Sequence, residues 1–202
     1  MHAMILLERG GPVLVALLGL SILAWTVALN RWIVLRRDAR NDRGAGEIAR
    51  VLTREGREAA ARLCARGETV EERVLSVSLL PGDPGRRRFE GRIRPILVAE
   101  ERTLLGPLGL VAACAAAAPL LGLLGTVLGM IRTFGALGDE PVSGVGFAEG
   151  IGEALLTTQA GLVVAVPMIL LHFFLQARGR RCIARAEREA RRIEALLAHG
   201  GP

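Results

Sequence analysis

The chain has 202 residues, 51% of them hydrophobic and only 3% aromatic, yet 23% are charged and the net charge is +6. High hydrophobicity and high charge coexist where the two kinds of residue are segregated along the chain, which argues against an ordinary soluble domain and for a helical membrane protein with polar extensions. The basic charge is all Arg, with no Lys and no Tyr, and it is mixed with Asp and Glu at near-equal density. Without interleaved stacking aromatics or a recognised module, that pattern gives no nucleic-acid surface, and no nucleic-acid partner is expected.

In chain order, residues 1–12 precede the first apolar run, which is too long for a signal and is followed by Arg-rich sequence without a small-residue cleavage pattern, so no cleavable signal is expected. From Val13 to Leu35 the chain is apolar except for Ser21, Thr26, Asn30 and Arg31. At 1.5 Å per residue this run reaches about 34 Å, enough to cross a bilayer. Trp25 and Trp32 fall in its second half, and Trp32 with Arg31, Arg36 and Arg37 forms an interfacial anchor followed by a basic collar.

Residues 36–103 are polar but patterned. Ile48, Val51, Leu52, Ala59 and Leu63 recur at helical spacing beneath charged faces. The spacing predicts a helix, a turn near Gly56, a second helix, a break at 81–85 in the run Pro-Gly-Asp-Pro-Gly, and a helix leading into the next apolar run.

The second run covers 104–131 and the third 151–177, both long enough to span. They contain Pro107, Pro119 and Pro167, which in a helix bundle predict kinked spans rather than loops. The short connector 132–150 holds one Arg beside Asp139, Glu140 and Glu149, whereas residues 36–103 hold sixteen Arg and the tail 178–202 seven. By the positive-inside bias the loop and the tail are cytoplasmic, and the N-terminus and connector lie outside. The tail reads as a helix continuing span three, with Glu187–Arg191 and Glu189–Arg192 pairs at helical spacing. The fold class is therefore all-α, a polytopic membrane protein with three transmembrane helices and long cytoplasmic helical extensions.

In span two, Gly122, Gly125 and Gly129 stand at i, i+3 and i+7, one helix face on which a neighbouring backbone can approach closely, and Gly161 is a further packing position in span three. Thr126 lies beside that face; its hydroxyl either bonds a carbonyl one turn back or faces a hydrated path. Glu153 opens span three, where a carboxylate is costly unless it meets water, a partner charge or a proton. It serves either as an acid at the start of the span favoured by the helix dipole or as a group that meets an entering proton or a partner. Thr157 shares a helical face with Glu153, and Thr158 follows. Pro167 is a static kink or a hinge. His172, near the Arg-rich tail, is an interfacial side chain or a titrating one. Cys64, Cys114 and Cys182 have no CxxC or Cys/His spacing and read as small apolar filler, so no metal and no cofactor is implied. Nor is an enzyme: there is no HExxH, no GxSxG and no P-loop, and Ser21, Ser76, Ser78 and Ser143 stand without a paired base.

The stretch Ala118-Pro-Leu-Leu-Gly-Leu-Leu-Gly-Thr-Val-Leu-Gly-Met-Ile-Arg-Thr-Phe134 resembles the second-span signature of the MotA/TolQ/ExbB proton-channel family. Gly150-Ile-Gly-Glu-Ala-Leu-Leu-Thr-Thr-Gln-Ala-Gly-Leu-Val-Val-Ala-Val-Pro167 resembles its third-span signature, in the right order and at the right separation. Three spans rather than four place the likeness nearest the ExbB and TolQ branches, and it covers roughly residues 97–180. The resemblance implies a channel or stator subunit in the bacterial inner membrane. Such a subunit forms a homopentameric ring around a single-span ExbD/TolR-like partner that carries an intramembrane Asp. It couples the proton motive force to work on an envelope client such as outer-membrane transport. Membrane lipid and a TonB-like transducer are the further implied partners. It also implies Thr126, Glu153 and Thr158 as proton-path residues, whereas the helical wheel favours Thr157. Gln159 departs from the small apolar residue usual in the family at that position.

Overall fold

The computed structural model describes residues 2–40, 45–65, 67, 69–81, 87, 89–136 and 144–199, and among them every regular element is helical. The expected break at 81–85 falls almost wholly outside the described residues. Long apolar runs can satisfy their backbone only internally when no water is at hand, so helix is the conformation they must take. Accordingly α1 covers His2–Arg40, α6 Leu108–Ala136 and α7 Gly144–His199. Between them lie the short helices α2 (Ala45–Glu55), α3 (Arg57–Cys64) and α4 (Val70–Ser78), a π-helical turn (Phe89–Ile93) and α5 (Arg94–Leu105). Among the described residues three segments are long and apolar enough to cross a membrane, Pro12–Asp38, Phe89–Gly135 and Gly150–Ala198.

Proline acts differently at its three positions in these runs. Pro119 and Pro167 sit inside α6 and α7 without ending them. Pro107, with Gly106, makes a turn that separates α5 from α6, so the helix carrying the second apolar run starts at Leu108. The amide of Gly106 still bonds the Arg102 carbonyl at 2.9 Å, closing α5, and Pro107 then stands at a helix start, where its missing N–H costs nothing.

Contacts divide the chain into two units. The apolar unit comprises Met1–Leu29 and Leu108–Phe173. Its core is built from small or slender side chains, Ala24, Cys114, Ala115 and Met168, with Leu20 and Val164 packed against them. Leu17, Leu108 and Val111 are buried beside them, but many large side chains point outward: Leu120 and Val163 are each 67% exposed, and Leu123, Val127, Ile131, Leu155, Val166 and Leu170 are exposed as well. An inside rich in Ala with so many Leu, Ile and Val side chains outside departs from a soluble fold and matches a surrounding of lipid or of other apolar helices.

The charged unit comprises Asn30–Pro107 and Phe174–Pro202. Its inside is conventional, with Val74, Leu75, Ile93, Leu175 and Ile193 fully buried. Gly56, at φ 89°, breaks α2 from α3 where the pattern predicts a turn, and glycine is the residue that enters this region without strain. Helix α4 is capped twice. Thr69 and Glu72 form a reciprocal capping box, and Asp38 of α1 accepts a hydrogen bond from the Val70 amide at 2.8 Å. At the other end the Arg57 guanidinium donates to the carbonyls of Leu79 (2.9 Å) and Leu80 (2.7 Å). Arg73 grips Glu100 through two hydrogen bonds of 2.7 and 2.8 Å, and Arg191 stacks over Phe89 at 4.0 Å. The tail is helical through α7; Glu187–Arg191 closes at 2.8 Å, and Glu189–Arg192 at a looser 3.8 Å.

Candidate functional site: the glycine and threonine seam of α6 and α7

Helices α6 and α7 run antiparallel along a seam that the glycine spacing dictates. A methyl group added at Gly129 would meet Ala154 Cβ at 2.8 Å, and one at Gly125 would meet Thr157 Cβ at 2.6 Å. At Gly122 it would meet the Thr157 carbonyl at 2.9 Å, and at Gly161 the Ala118 carbonyl at 2.7 Å. All four glycines expected to be packing positions are therefore at closest approach, with no room for any larger residue. The seam continues to Gly150, where the same test gives Thr133 Cγ2 at 3.0 Å.

Thr157 is buried in this seam, 4% exposed, with its hydroxyl 2.8 Å from the Ala154 carbonyl of its own helix and 3.2 Å from the Gly122 carbonyl across it. Thr158 is half-buried and donates to the same Gly122 carbonyl at 3.0 Å. The structure thus brings together the two hydroxyls that the helical wheel and the family resemblance separately favour. A single hydroxyl proton cannot serve two acceptors at once. With Thr158 on Gly122, the shorter Thr157 bond to Ala154 accounts for the other.

The remaining candidates lie around the seam. Thr126 is half-buried and donates to the Leu123 carbonyl at 2.7 Å, one residue short of the i−4 acceptor that the sequence suggests. Gln159 is exposed on the same outward face as Leu155, Leu162 and Val163. The side chain of Glu153 lies outside the described residues. Pro167 is exposed within α7. The Nδ1 of His172 lies 3.0 Å from the Leu108 carbonyl, so its proton sits on that nitrogen, and the ring meets Phe173 edge-on. That bond tethers α7 to the first residue of α6.

The sequence pattern locates the glycine face but not what fills it. The Gly122 carbonyl, on which both threonines converge, has no side-chain signature at all. Among the described residues no three His, Cys, Asp or Glu side chains are grouped to hold a metal ion.

The model of the MotA/TolQ/ExbB proton channel family matches residues 66–188. The chain is 36% identical to the biopolymer transport protein ExbB-like 1 of Synechocystis over 81% of its own length and 66% of that protein's. It is 28% identical to the biopolymer transport protein ExbB of Pseudomonas putida over 79% of its own length and 51% of the relative's. It is also 33% identical to the Tol-Pal system protein TolQ of Pseudomonas aeruginosa over 54% and 49% of the two chains. The chain therefore spans about half to two thirds of the length of these relatives. The family match covers α4 to the middle of the tail and so includes the whole α6 and α7 seam; the chain belongs to the MotA/TolQ/ExbB proton channel family, in its ExbB/TolQ branch.

Proposed function

We propose that the chain is the channel or stator subunit of a proton-motive-force-driven energy transducer. It forms a homopentameric ring around a single-span ExbD/TolR-like partner. It sits in a bacterial inner membrane with its N-terminus periplasmic and its C-terminus cytoplasmic. It couples proton flow to work on an envelope client such as outer-membrane transport, with a TonB-like transducer as the further partner.

The observation that carries this reading is the α6 and α7 seam. Two helices locked at glycine contact present threonine hydroxyls, Thr126 and Thr158, at half-buried positions rather than sealing them inside. A hydroxyl both donates and accepts, so it can pass a hydrogen-bonded chain along, but it does not itself take up a proton near neutral pH. The three apolar runs contain no Asp, and their carboxyl, imidazole and guanidinium groups are confined to Glu153, His172 and Arg31. The mid-membrane proton carrier is then the partner's Asp, with Glu153, Thr126, Thr158 and Thr157 lining its route and Pro167 available as a hinge. One charge moved through 100 mV releases about 2.3 kcal/mol, enough to bias a small helix rearrangement per proton.

One observation favours a plainer scaffold without proton coupling: the hydroxyls of Thr126, Thr157 and Thr158 are all already bonded to backbone carbonyls. Co-purification with the single-span partner, native mass spectrometry and proton flux in liposomes separate the two. A five-to-two complex whose flux disappears when the partner's membrane Asp becomes Asn supports the motor. A partner-free assembly with no flux establishes the scaffold.

A further inference from the structure

The charged unit contains a cavity of about 270 Å³ lined by residues that the seam does not use. Asp38 of α1 and Glu71 of α4 meet Cys182 of α7 there, under Arg178, Arg181 and Arg185. At about 30 Å³ of liquid per water the space holds several waters. The carboxyls in it are not equivalent. Asp38 is fully engaged, taking the Val70 amide on one oxygen and the Cys182 thiol on the other, each at 2.8 Å. Glu71 is 8% exposed, and its Oε1 is buried with no hydrogen-bond partner among the described residues.

The groups around Glu71 are mostly acids: Glu72 on its own helix, Asp38 on α1 and Glu189 on α7. The nearest cation on its own helix, Arg73, is committed to Glu100. The three arginines face the cavity from α7, where Arg181 and Arg185 are exposed and Arg181 already donates to the Ala177 carbonyl. A buried carboxyl among acids, with an oxygen that none of the described residues satisfies, is stable as the neutral acid, because the like charges then no longer repel and no bare charge is buried.

We propose that Glu71 is a proton-binding site of the charged unit, exchanging its proton with water through this cavity, a carboxylic acid giving carboxylate and hydronium and taking the proton back. On the motor reading, on which this use rests, Glu71 loads and unloads protons on the cytoplasmic side. Burial, followed by Glu189, Asp38 and Glu72, pushes its carboxyl up to about 7, so that it changes charge within the cell's own pH range. Cys64 of α3 feels the same surroundings; burial, Glu72 and Glu71 push its thiol up to about 11 and leave it an inert neutral group.

The test is an infrared titration of the full chain, in complex with its partner, taken as the difference between wild type and Glu71→Gln from pH 5 to 9. Glutamine is isosteric, so the fold is retained. The expected result is a carboxylic-acid band present in wild type at pH 5, absent in the variant, and lost with a midpoint near 7. A difference spectrum showing carboxylate already at pH 5 overturns the site. Proton flux of the same samples adds a second arm. A roughly tenfold loss in Glu71→Gln with recovery in Glu71→Asp supports the role in transfer, and unchanged flux overturns it. Wild type without any flux sinks the motor reading, and the infrared arm still decides whether Glu71 binds a proton. If the three arginines instead hold an anionic headgroup, added phosphatidylglycerol shifts wild type and Glu71→Gln alike and no titrating band is found.

Discussion

Gly161→Ala tests the seam most directly. The added Cβ would stand 2.7 Å from the Ala118 carbonyl oxygen and 3.2 Å from Gly122 Cα, both backbone atoms that cannot rotate away. Ordinary contact begins about 0.7 Å further out, so α6 and α7 must separate by that much. The Thr158 bond to Gly122, now 3.0 Å, and the Thr157 contact, now 3.2 Å, then pass beyond hydrogen-bond range. Overpacking costs about 1–3 kcal/mol, and each lost interhelical bond about 0.6 kcal/mol. With the Thr158 bond as the one interhelical bond lost, the sum lowers the melting temperature of a chain of this size by about 3–14 °C. The control is Gly109→Ala on α6, where a methyl finds nothing within 4 Å and the change should be neutral or stabilising by about 0.5–1 kcal/mol. Thermal melts of both variants in one detergent decide it. If Gly161→Ala melts like Gly109→Ala, the seam is not the tight contact described.

Three further outcomes follow from the charges and hydroxyls. Because folding raises Glu71 from an ordinary 4.5 to about 7, the folded state holds the proton more tightly. The stability this contributes is complete below pH 4.5 and is lost as pH rises toward 7. Glu71→Gln should remove that slope and be the more stable protein at pH 8 by about 1–3 kcal/mol, read from melts at pH 5 and pH 8; a slope unchanged in the variant would place the titration elsewhere. Glu189→Gln should lower the infrared midpoint of Glu71, since it removes the largest of the repelling charges, and a midpoint that stays near 7 would disprove the electrostatic cause. Thr158→Val and Glu153→Ala should leave the ring assembled, by native mass spectrometry, while weakening client activity. Thr157→Val should in addition lower stability, by about 1 kcal/mol, and wild-type activity in all three would remove them from the proton path.

Much of the architecture is legible in the sequence because a membrane leaves few choices. Apolar runs at 13–35, 104–131 and 151–177 must be helical, and the glycines at 122, 125 and 129 can share only one face. Gly56 and the capping box of Thr69 and Glu72 are equally local, since each depends on residues within one turn. Pro107 shows where local reading stops. The apolar pattern runs straight through it, yet the helix breaks there and resumes at Leu108 although Gly106 keeps helical dihedrals (φ −51°, ψ −51°), whereas Pro119 and Pro167 leave their helices unbroken.

What stays hidden in the sequence is whatever is made from backbone or from distant residues. Thr157 and Thr158 cannot be ranked by periodicity, because adjacent positions differ by 100° on a wheel and each resemblance or face picks one. The geometry removes the competition instead. Thr157 fills the hole that Gly125 leaves and bonds its own turn, which frees the Gly122 carbonyl for Thr158 at the half-buried edge. The inner threonine then sets the spacing of the two helices, and the outer one stays available to a neighbour. Asp38 and Cys182 stand 144 residues apart, and no spacing rule links them or brings Glu71 beside them. Yet the consequence is chemical rather than merely structural. By satisfying both oxygens of Asp38, the Val70 amide and the Cys182 thiol fix that group as the acceptor and leave Glu71 as the carboxyl with a free proton site. A family of proton channels has, in this chain, a titrating acid that no spacing rule in the sequence singles out.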